Sequence, residues 1–181
     1  MQKTGRLFIA AELPANLAGE LAATAKKLRE KIDARWSRVE NYHITLAFLG
    51  ETELTRTEQV GRIISRAANG MGPVRVCLAE LGFFGRENDA VLWCGLLGTR
   101  PLEELARKIR AGLVKAGIPF DGKPLRPHIT LARRAGLSAA ALKALSPERA
   151  GGTITKITLF LSTRENGCLV YRPLFVHDIG E

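Results

Sequence analysis

The sequence predicts an α+β fold: a bilobal, duplicated architecture with mostly antiparallel sheets lining a central cleft and helices outside. Strand-like and helix-like apolar periods alternate along the 181 residues, which is typical of a mixed fold. The tetrapeptide His-Ile-Thr-Leu occurs twice, at residues 43–46 and 128–131. Each copy follows a predicted strand and helix, which indicates a duplicated unit. We therefore interpret residues 1–181 as a single domain of two pseudo-symmetric lobes.

The chain up to the first repeat predicts a strand, a helix and a second strand. The run Gly5–Leu13 is short and apolar, as in a buried strand. Pro14 suits the first turn of a helix, and leucines recur at helical spacing from there to about Ile32. The first His-containing strand is expected to span Tyr42–Leu49, with Gly50 as its end.

A second helix and two strands follow the first repeat. The pattern Thr55-x-x-Glu58 is typical of a capping box, and it predicts a helix that ends at the Asn-Gly pair 69–70. Alternating valines and leucine predict a strand over Pro73–Leu81, and Ala90–Leu97 predicts the next one.

The second repeat has the same setting as the first. A helical period over Leu102–Ala116 is followed by a loop and by the second His-containing strand, Pro127–Ala132. Ser138–Leu145 predicts a short helix. Thr153–Leu161 and Cys168–Val176 predict two final strands, joined by a loop that ends in an Asn-Gly turn signal.

Charge and composition favour a polyanionic partner in the cytoplasm. Lys and Arg number 27 against 18 Asp and Glu, so the net charge is +9, which suits a nucleic acid. No apolar run approaches the ~20 residues of a membrane span, and the N-terminus leads directly into a strand, so neither a membrane segment nor a signal peptide is expected. The three cysteines are widely spaced and are expected to be reduced thiols.

The repeated motif places an imidazole beside a hydroxyl in each lobe. Because side chains alternate along a strand, His43 shares a face with Thr45, and His128 shares a face with Thr130. Two such units across one cleft would supply an acid, a base and two hydroxyl donors, which suits in-line phosphoryl transfer. A structural or surface His-x-Thr pair with no chemistry is the alternative that the pattern alone leaves open.

Two arginines follow the second motif and could bind a phosphate. Alternation places Arg134 on the face of His128 and turns Arg133 away, and we keep both as candidates. Alternation also places Phe48 on the core face, so no stacking role is expected for it. Neither histidine has a carboxylate or cysteine at a ligand spacing, so no metal site and no cofactor is predicted.

The two motif blocks resemble those of the two-histidine phosphoesterase superfamily. Residues 40–50 (ENYHITLAFLG) and 127–133 (PHITLAR) are similar to its paired motifs. The resemblance is closest to the RNA 2′,3′-cyclic phosphodiesterases, also called 2′-5′ RNA ligase-like proteins. Further segments that resemble this group are residues 6–10, 35–36 and 92–93, Ser162, Gly167 and Tyr171. Together they cover nearly the whole chain.

The resemblance implies hydrolysis of a terminal 2′,3′-cyclic phosphate on RNA to a 2′-phosphate, with no required metal. It implies that His43 donates a proton to the departing O3′ and that His128 activates water. Thr45 and Thr130 would bind phosphate oxygens, and Arg133 matches the arginine of the family. Two alternatives remain: 2′-5′ RNA ligase activity, and a non-catalytic module that binds RNA ends. A cytoplasmic monomer that acts on RNA, without a membrane, is expected.

Overall fold

The computed structural model describes residues 3–86, 89–136, 147 and 149–180. These residues contain nine strands and three α-helices. The strands are β1 (Thr4–Glu12), β2 (Arg35–Trp36), β3 (His43–Glu53), β4 (Val74–Phe84), β5 (Ala90–Leu97), β6 (His128–Ala135), β7 (Gly151–Ile154), β8 (Lys156–Glu165) and β9 (Cys168–Asp178). The helices are α1 (Ala15–Arg29), α2 (Thr57–Ala67) and α3 (Arg100–Lys115).

The strands form two antiparallel sheets, one for each copy of the repeat. The first sheet has the order β3-β1-β8-β9, and the second has the order β2-β6-β5-β4-β7. In each sheet the His-containing strand pairs with an earlier strand, and one α-helix lies between the two strands in the sequence. These pairs are β3 with β1 and β6 with β5. The predicted α+β architecture of two lobes is therefore confirmed. The assignment of residues 1–181 to one pseudo-symmetric domain stays a prediction.

The helices connect the lobes because two of them cover the sheet of the opposite lobe. Helix α1 follows β1 but contacts β7 of the second sheet, whereas α3 follows β5 but contacts β3 of the first sheet. Helix α2 packs against α3 and against β8 and β9. No helix in the described ranges is long and apolar enough to cross a membrane.

One hydrophobic core lies between the helices and the sheets. The apolar side chains of the two motifs, Ile44, Leu46, Ile129 and Leu131, are fully buried in it. Burying an aliphatic side chain of this size contributes about 1.5–3 kcal/mol. The core residues of the repeat therefore hold the histidine face of each strand in position.

The first His-containing strand is longer than its sequence indicates. It continues through Gly50 to Glu53, because Gly50 adopts a φ of +68° that allows a bend within the strand. The predicted capping box is wrong. A 3-10 turn over Leu54–Arg56 comes first, and the Thr57 hydroxyl donates to the carbonyl of Leu54.

The predicted strand 153–161 is two strands that belong to different sheets. Strand β7 ends at Ile154 and β8 begins at Lys156, so the chain crosses between the lobes at Thr155. The hairpin between β8 and β9 is a two-residue turn at Asn166 and Gly167, both with positive φ as in a type I′ turn. The helix predicted over 138–145 lies outside the described residues.

Candidate active site

His43, at the start of β3, has a hydrogen-bond partner for each ring nitrogen. Its Nδ1 lies 2.7 Å from the carbonyl oxygen of Asn41. Because a carbonyl only accepts, Nδ1 carries the hydrogen and the tautomer is fixed. Nε2 of the neutral ring lies 3.0 Å from Thr45 Oγ1 and accepts a hydrogen bond from that hydroxyl. Once protonated, Nε2–H donates to Thr45 or to a substrate oxygen instead.

His128, at the start of β6, presents the same nitrogen. Its Nδ1 lies 2.6 Å from the carbonyl oxygen of Arg126, which is also two residues before the histidine. The neutral ring therefore keeps the Nε2 lone pair available for proton transfer. Thr130 lies two residues further along β6 and lines the cleft described below, whereas His128 itself is not among the residues that line that cleft.

Aromatic rings surround both imidazoles. The ring centroid of Phe8 lies 4.9 Å from that of His43, and Tyr171 meets the same imidazole edge-on at 5.2 Å. Phe84 meets His128 edge-on at 5.1 Å. These contacts limit rotation of the imidazoles, so the direction of each Nε2 is set before any ligand binds.

Both histidines are less basic than free imidazole. The pKa of His43 is lowered to about 4, mainly by burial. The Asn41 carbonyl acts in the opposite direction, and the charges of His128 and Arg133 contribute to the lowering. Burial, followed by the charge of Arg133, also lowers the pKa of His128. Both shifts favour the neutral form of the ring in the free protein. The strands that carry the two motifs, β3 and β6, contact each other across the lobes.

A bulge in β3 changes the side-chain alternation directly after the first motif. Residues 9–10 of β1 pair with Ala47 and Thr45, so Leu46 is an extra residue in β3. Leu46 and Ala47 are consequently both buried. The alternation then resumes in the opposite phase, and Phe48 lines the cleft. The expectation that Phe48 faces the core is wrong for this reason.

The same bulge occurs in β6. Residues 92–93 of β5 pair with Ala132 and Thr130, so Leu131 is the extra residue. Leu131 and Ala132 are both buried, and Arg133 lines the cleft. The two HITLA repeats thus have the same irregularity, and they differ at the next position, where one has phenylalanine and the other arginine.

The bulge affects the two candidate arginines differently. Arg133 lines the cleft beside Arg35, its pairing partner on β2. Both arginines are exposed, but Arg134 has a φ of 52° and is not among the residues that line the cleft. Simple alternation, which placed Arg134 on the face of His128, fails because it assumes an unbroken strand.

The cleft between the sheets has a volume of about 590 Å³ and a strongly basic lining. Hydroxyl groups reach it from Thr45, Thr130 and Ser162. Five arginines line it: Arg6, Arg35, Arg38, Arg133 and Arg164. Such a lining suits a phosphate group.

Two further cleft residues were not among the candidates from sequence. One is Arg6, whose guanidinium lies 5.0 Å from the ring centroid of Phe48. The other is Tyr171. Burial raises the pKa of its phenol, and the charges of Arg133 and Arg6 act in the opposite direction. The alternation of β1 does contain a signal for Arg6, because Leu7 and Ile9 are fully buried and residues 6 and 8 therefore face the cleft.

The described ranges contain no group of three or more His, Cys, Asp or Glu side chains arranged to hold a metal ion. The cleft brings together the His43 imidazole, hydroxyl groups and guanidinium groups, and His128 begins the strand that contributes Thr130. This set can transfer protons and stabilise an anion.

Comparisons with known proteins find relatives that are named as phosphodiesterases. Two relatives named "RNA 2′,3′-cyclic phosphodiesterase" are each 28% identical to it. The Escherichia coli protein matches over 96% of both chains. The Geobacillus stearothermophilus protein matches over 90% of this chain but 54% of its own length, so the chain spans about half of that relative. The crystal structure of Escherichia coli LigT with 3′-AMP superposes with a TM-score of 0.86, at 26% identity, over 99% of this chain and all of LigT.

A family model gives the broadest assignment. The model described as the 2′-5′ RNA ligase superfamily matches residues 15–166. This range includes both His-Ile-Thr-Leu copies, both bulges and the β8 strand that reaches the cleft. The chain therefore belongs to the 2′-5′ RNA ligase superfamily.

Proposed function

We propose that this protein is an enzyme that hydrolyses the 2′,3′-cyclic phosphate at the end of an RNA to a 2′-phosphate without a metal ion. The observation that carries the proposal is the pair of imidazoles, one from each lobe, each with Nδ1 bound to a backbone carbonyl. One of them can act as the acid while the other acts as the base. The name shared by the relatives, RNA 2′,3′-cyclic phosphodiesterase, supplies the substrate class.

In this proposal each histidine has one task. His128 Nε2 takes a proton from water as the water oxygen forms a bond to phosphorus. The bond between phosphorus and O3′ breaks, and His43 Nε2–H gives its proton to the departing O3′. The products are a free 3′-hydroxyl and a 2′-phosphate. His128 then loses its proton to solvent and His43 gains one, which restores both rings.

The other cleft residues would stabilise the phosphate. Thr45 and Thr130 can donate hydrogen bonds to its non-bridging oxygens, and Arg133 can balance the charge that develops on them. We assign this role to Arg133 and not to Arg134, because Arg133 lines the cleft. We further propose that the protein acts as a cytoplasmic monomer, in line with its predicted reduced thiols.

A metal-free assay tests the proposal directly. Incubation with a 2′,3′-cyclic-phosphate RNA in excess EDTA should yield the 2′-phosphate at an undiminished rate, because side chains alone supply the proton-transfer groups. Mass spectrometry and phosphatase sensitivity identify the product end. Activity that is lost in EDTA and restored by a divalent ion would contradict the metal-free mechanism. A joined RNA product would point to ligation instead.

The pH dependence should reflect the lowered pKa values of both histidines. Because one ring must be protonated and the other neutral, kcat/KM should follow a bell-shaped curve with its maximum below pH ~6.5, the usual pKa of histidine. A bound anionic phosphate favours imidazolium, so the kcat curve should lie at higher pH than the kcat/KM curve. Steady-state rates across the pH range check both statements. A kcat/KM maximum clearly above neutrality would contradict the geometry proposed here.

A further inference from the structure

A second basic surface lies between α2 and α3, on the helix-covered side of the first sheet. The start of α2 lies beside the end of α3, because Arg56 Nη1 donates to the carbonyl oxygen of Ala116 at 3.5 Å. The two helices are therefore antiparallel. Between them is a groove with a volume of about 670 Å³.

The floor of the groove is apolar and depends on one glycine. Ile63, Ala67, Ala111 and Gly112 contribute to it. A Cβ atom on Gly112 would lie 2.6 Å from Ile63 Cγ2, so any larger residue would push the helices apart. The floor therefore offers apolar contacts, and any binding of phosphate would depend on the side chains of the walls.

The walls of the groove carry an unbalanced positive charge. Its basic residues are Arg62, Arg66, Arg107, Lys108 and Lys115, and none of the residues that line it is acidic. Among the ion pairs of the described residues, one involves this set, from Arg62 to Glu58. A helix face that is merely solvated usually alternates its charges. Four of these five cations have no ion pair among the described residues, and their charge suits a polyanion.

We propose that this groove binds the sugar–phosphate backbone of RNA, upstream of the end that is held in the cleft. Residues 59–67 of α2, at 1.5 Å per residue, give the groove a length of about 12 Å, enough for roughly two or three phosphates. The proposal rests on the function proposed above. It adds that the chain recognises the body of an RNA as well as its terminal phosphate, and it accounts for basic residues that the cleft does not use.

The experiment compares a long and a short substrate. The groove variant is Arg66→Gln/Lys108→Gln/Lys115→Gln. The control is Lys26→Gln/Lys27→Gln/Lys31→Gln, at the end of α1 and just after it, which removes the same three charges from exposed positions elsewhere. For a single-stranded RNA of about 20 nucleotides with a cyclic-phosphate end, the groove variant should raise KM by about 10-fold and leave kcat unchanged. Both kinetic constants for a dinucleotide 2′,3′-cyclic phosphate should stay at the wild-type values.

Salt titration gives a second readout that does not depend on turnover. Fluorescence anisotropy with the same RNA ending in a 2′-phosphate measures its affinity even if the wild type proved inactive. The slope of log K against log salt should fall by about 2 in the groove variant, close to 0.7 for each lost phosphate contact. The control should lose little affinity and keep its slope.

Three results would overturn the proposal. The first is a groove variant with unchanged KM, affinity and salt slope for the long RNA. The second is an equal loss in the control, which would mean that net charge alone is responsible. The third is unchanged RNA affinity with an altered sedimentation coefficient, which would assign the groove to contacts between copies of this chain.

Discussion

Replacing either His43 or His128 with alanine should lower the single-turnover rate of cyclic-phosphate hydrolysis by about 10²-fold or more. Loss of a general acid or base usually has this scale, and neither ring can replace the other because each must hold the opposite protonation state. RNA affinity should fall much less, since the threonines and arginines of the cleft remain. Rapid-quench rates and dissociation constants measured on the same variants separate the two effects.

The third histidine provides the matched control. His177, near the end of β9, has its Nδ1 3.4 Å from Ser65 Oγ of α2, so it belongs to the helix-covered side of the sheet. His177→Ala should leave the rate within about twofold. Thr45→Ala and Thr130→Ala should cost less than the loss of a histidine, because a hydroxyl stabilises the phosphate without transferring an essential proton.

A module that only binds RNA ends would behave in the opposite way. Its wild type would show little turnover, and removing either histidine would mainly reduce affinity. A His128→Ala protein that hydrolyses the substrate at the wild-type rate would eliminate the two-histidine mechanism, whatever its effect on affinity.

Much of the architecture could be predicted from the sequence because the pattern of each lobe is local. The order strand, helix, His-containing strand occurs in β1, α1 and β3 and again in β5, α3 and β6. The shared tetrapeptide marks the equivalent strands. Alternation groups His43 with Thr45 because no bulge lies between them. Their hydrogen bond agrees with that grouping.

The features that could not be predicted are those where the chain stays apolar while its geometry changes. Leu46–Ala47 and Leu131–Ala132 are as compatible with a regular strand as with a bulge, yet the bulges turn Phe48 and Arg133 into the cleft. The crossing at Thr155 depends on the partner strands as well, because the chain there leaves one sheet for the other between two buried isoleucines, Ile154 and Ile157. Such choices depend on the partner strand, which local periodicity does not contain.

Because of the bulge in β6, we expect substitutions of the two adjacent arginines, Arg133 and Arg134, to have very different effects on activity. Arg133→Ala should lower kcat by about 10²- to 10³-fold, the range found when a group that stabilises a developing anion is removed. Arg134→Ala should change it by less than about twofold, because that side chain does not line the cleft. Arg133→Lys should recover part of the loss, since it restores the charge but not the paired donors of a guanidinium.

The pH dependence of kcat/KM tests whether the charge of Arg133 acts on the histidines. If Arg133 had only a structural role, its removal would not shift this curve. Its charge lowers the pKa of both His43 and His128, so its removal should raise both values and shift the kcat/KM curve toward higher pH. Arg134→Ala should leave the curve in place. Equal losses in the two variants, or a large loss for Arg134→Ala alone, would mean that β6 continues without the bulge. Simple alternation along β6 would then apply, and Arg134 would be the arginine that contacts the phosphate.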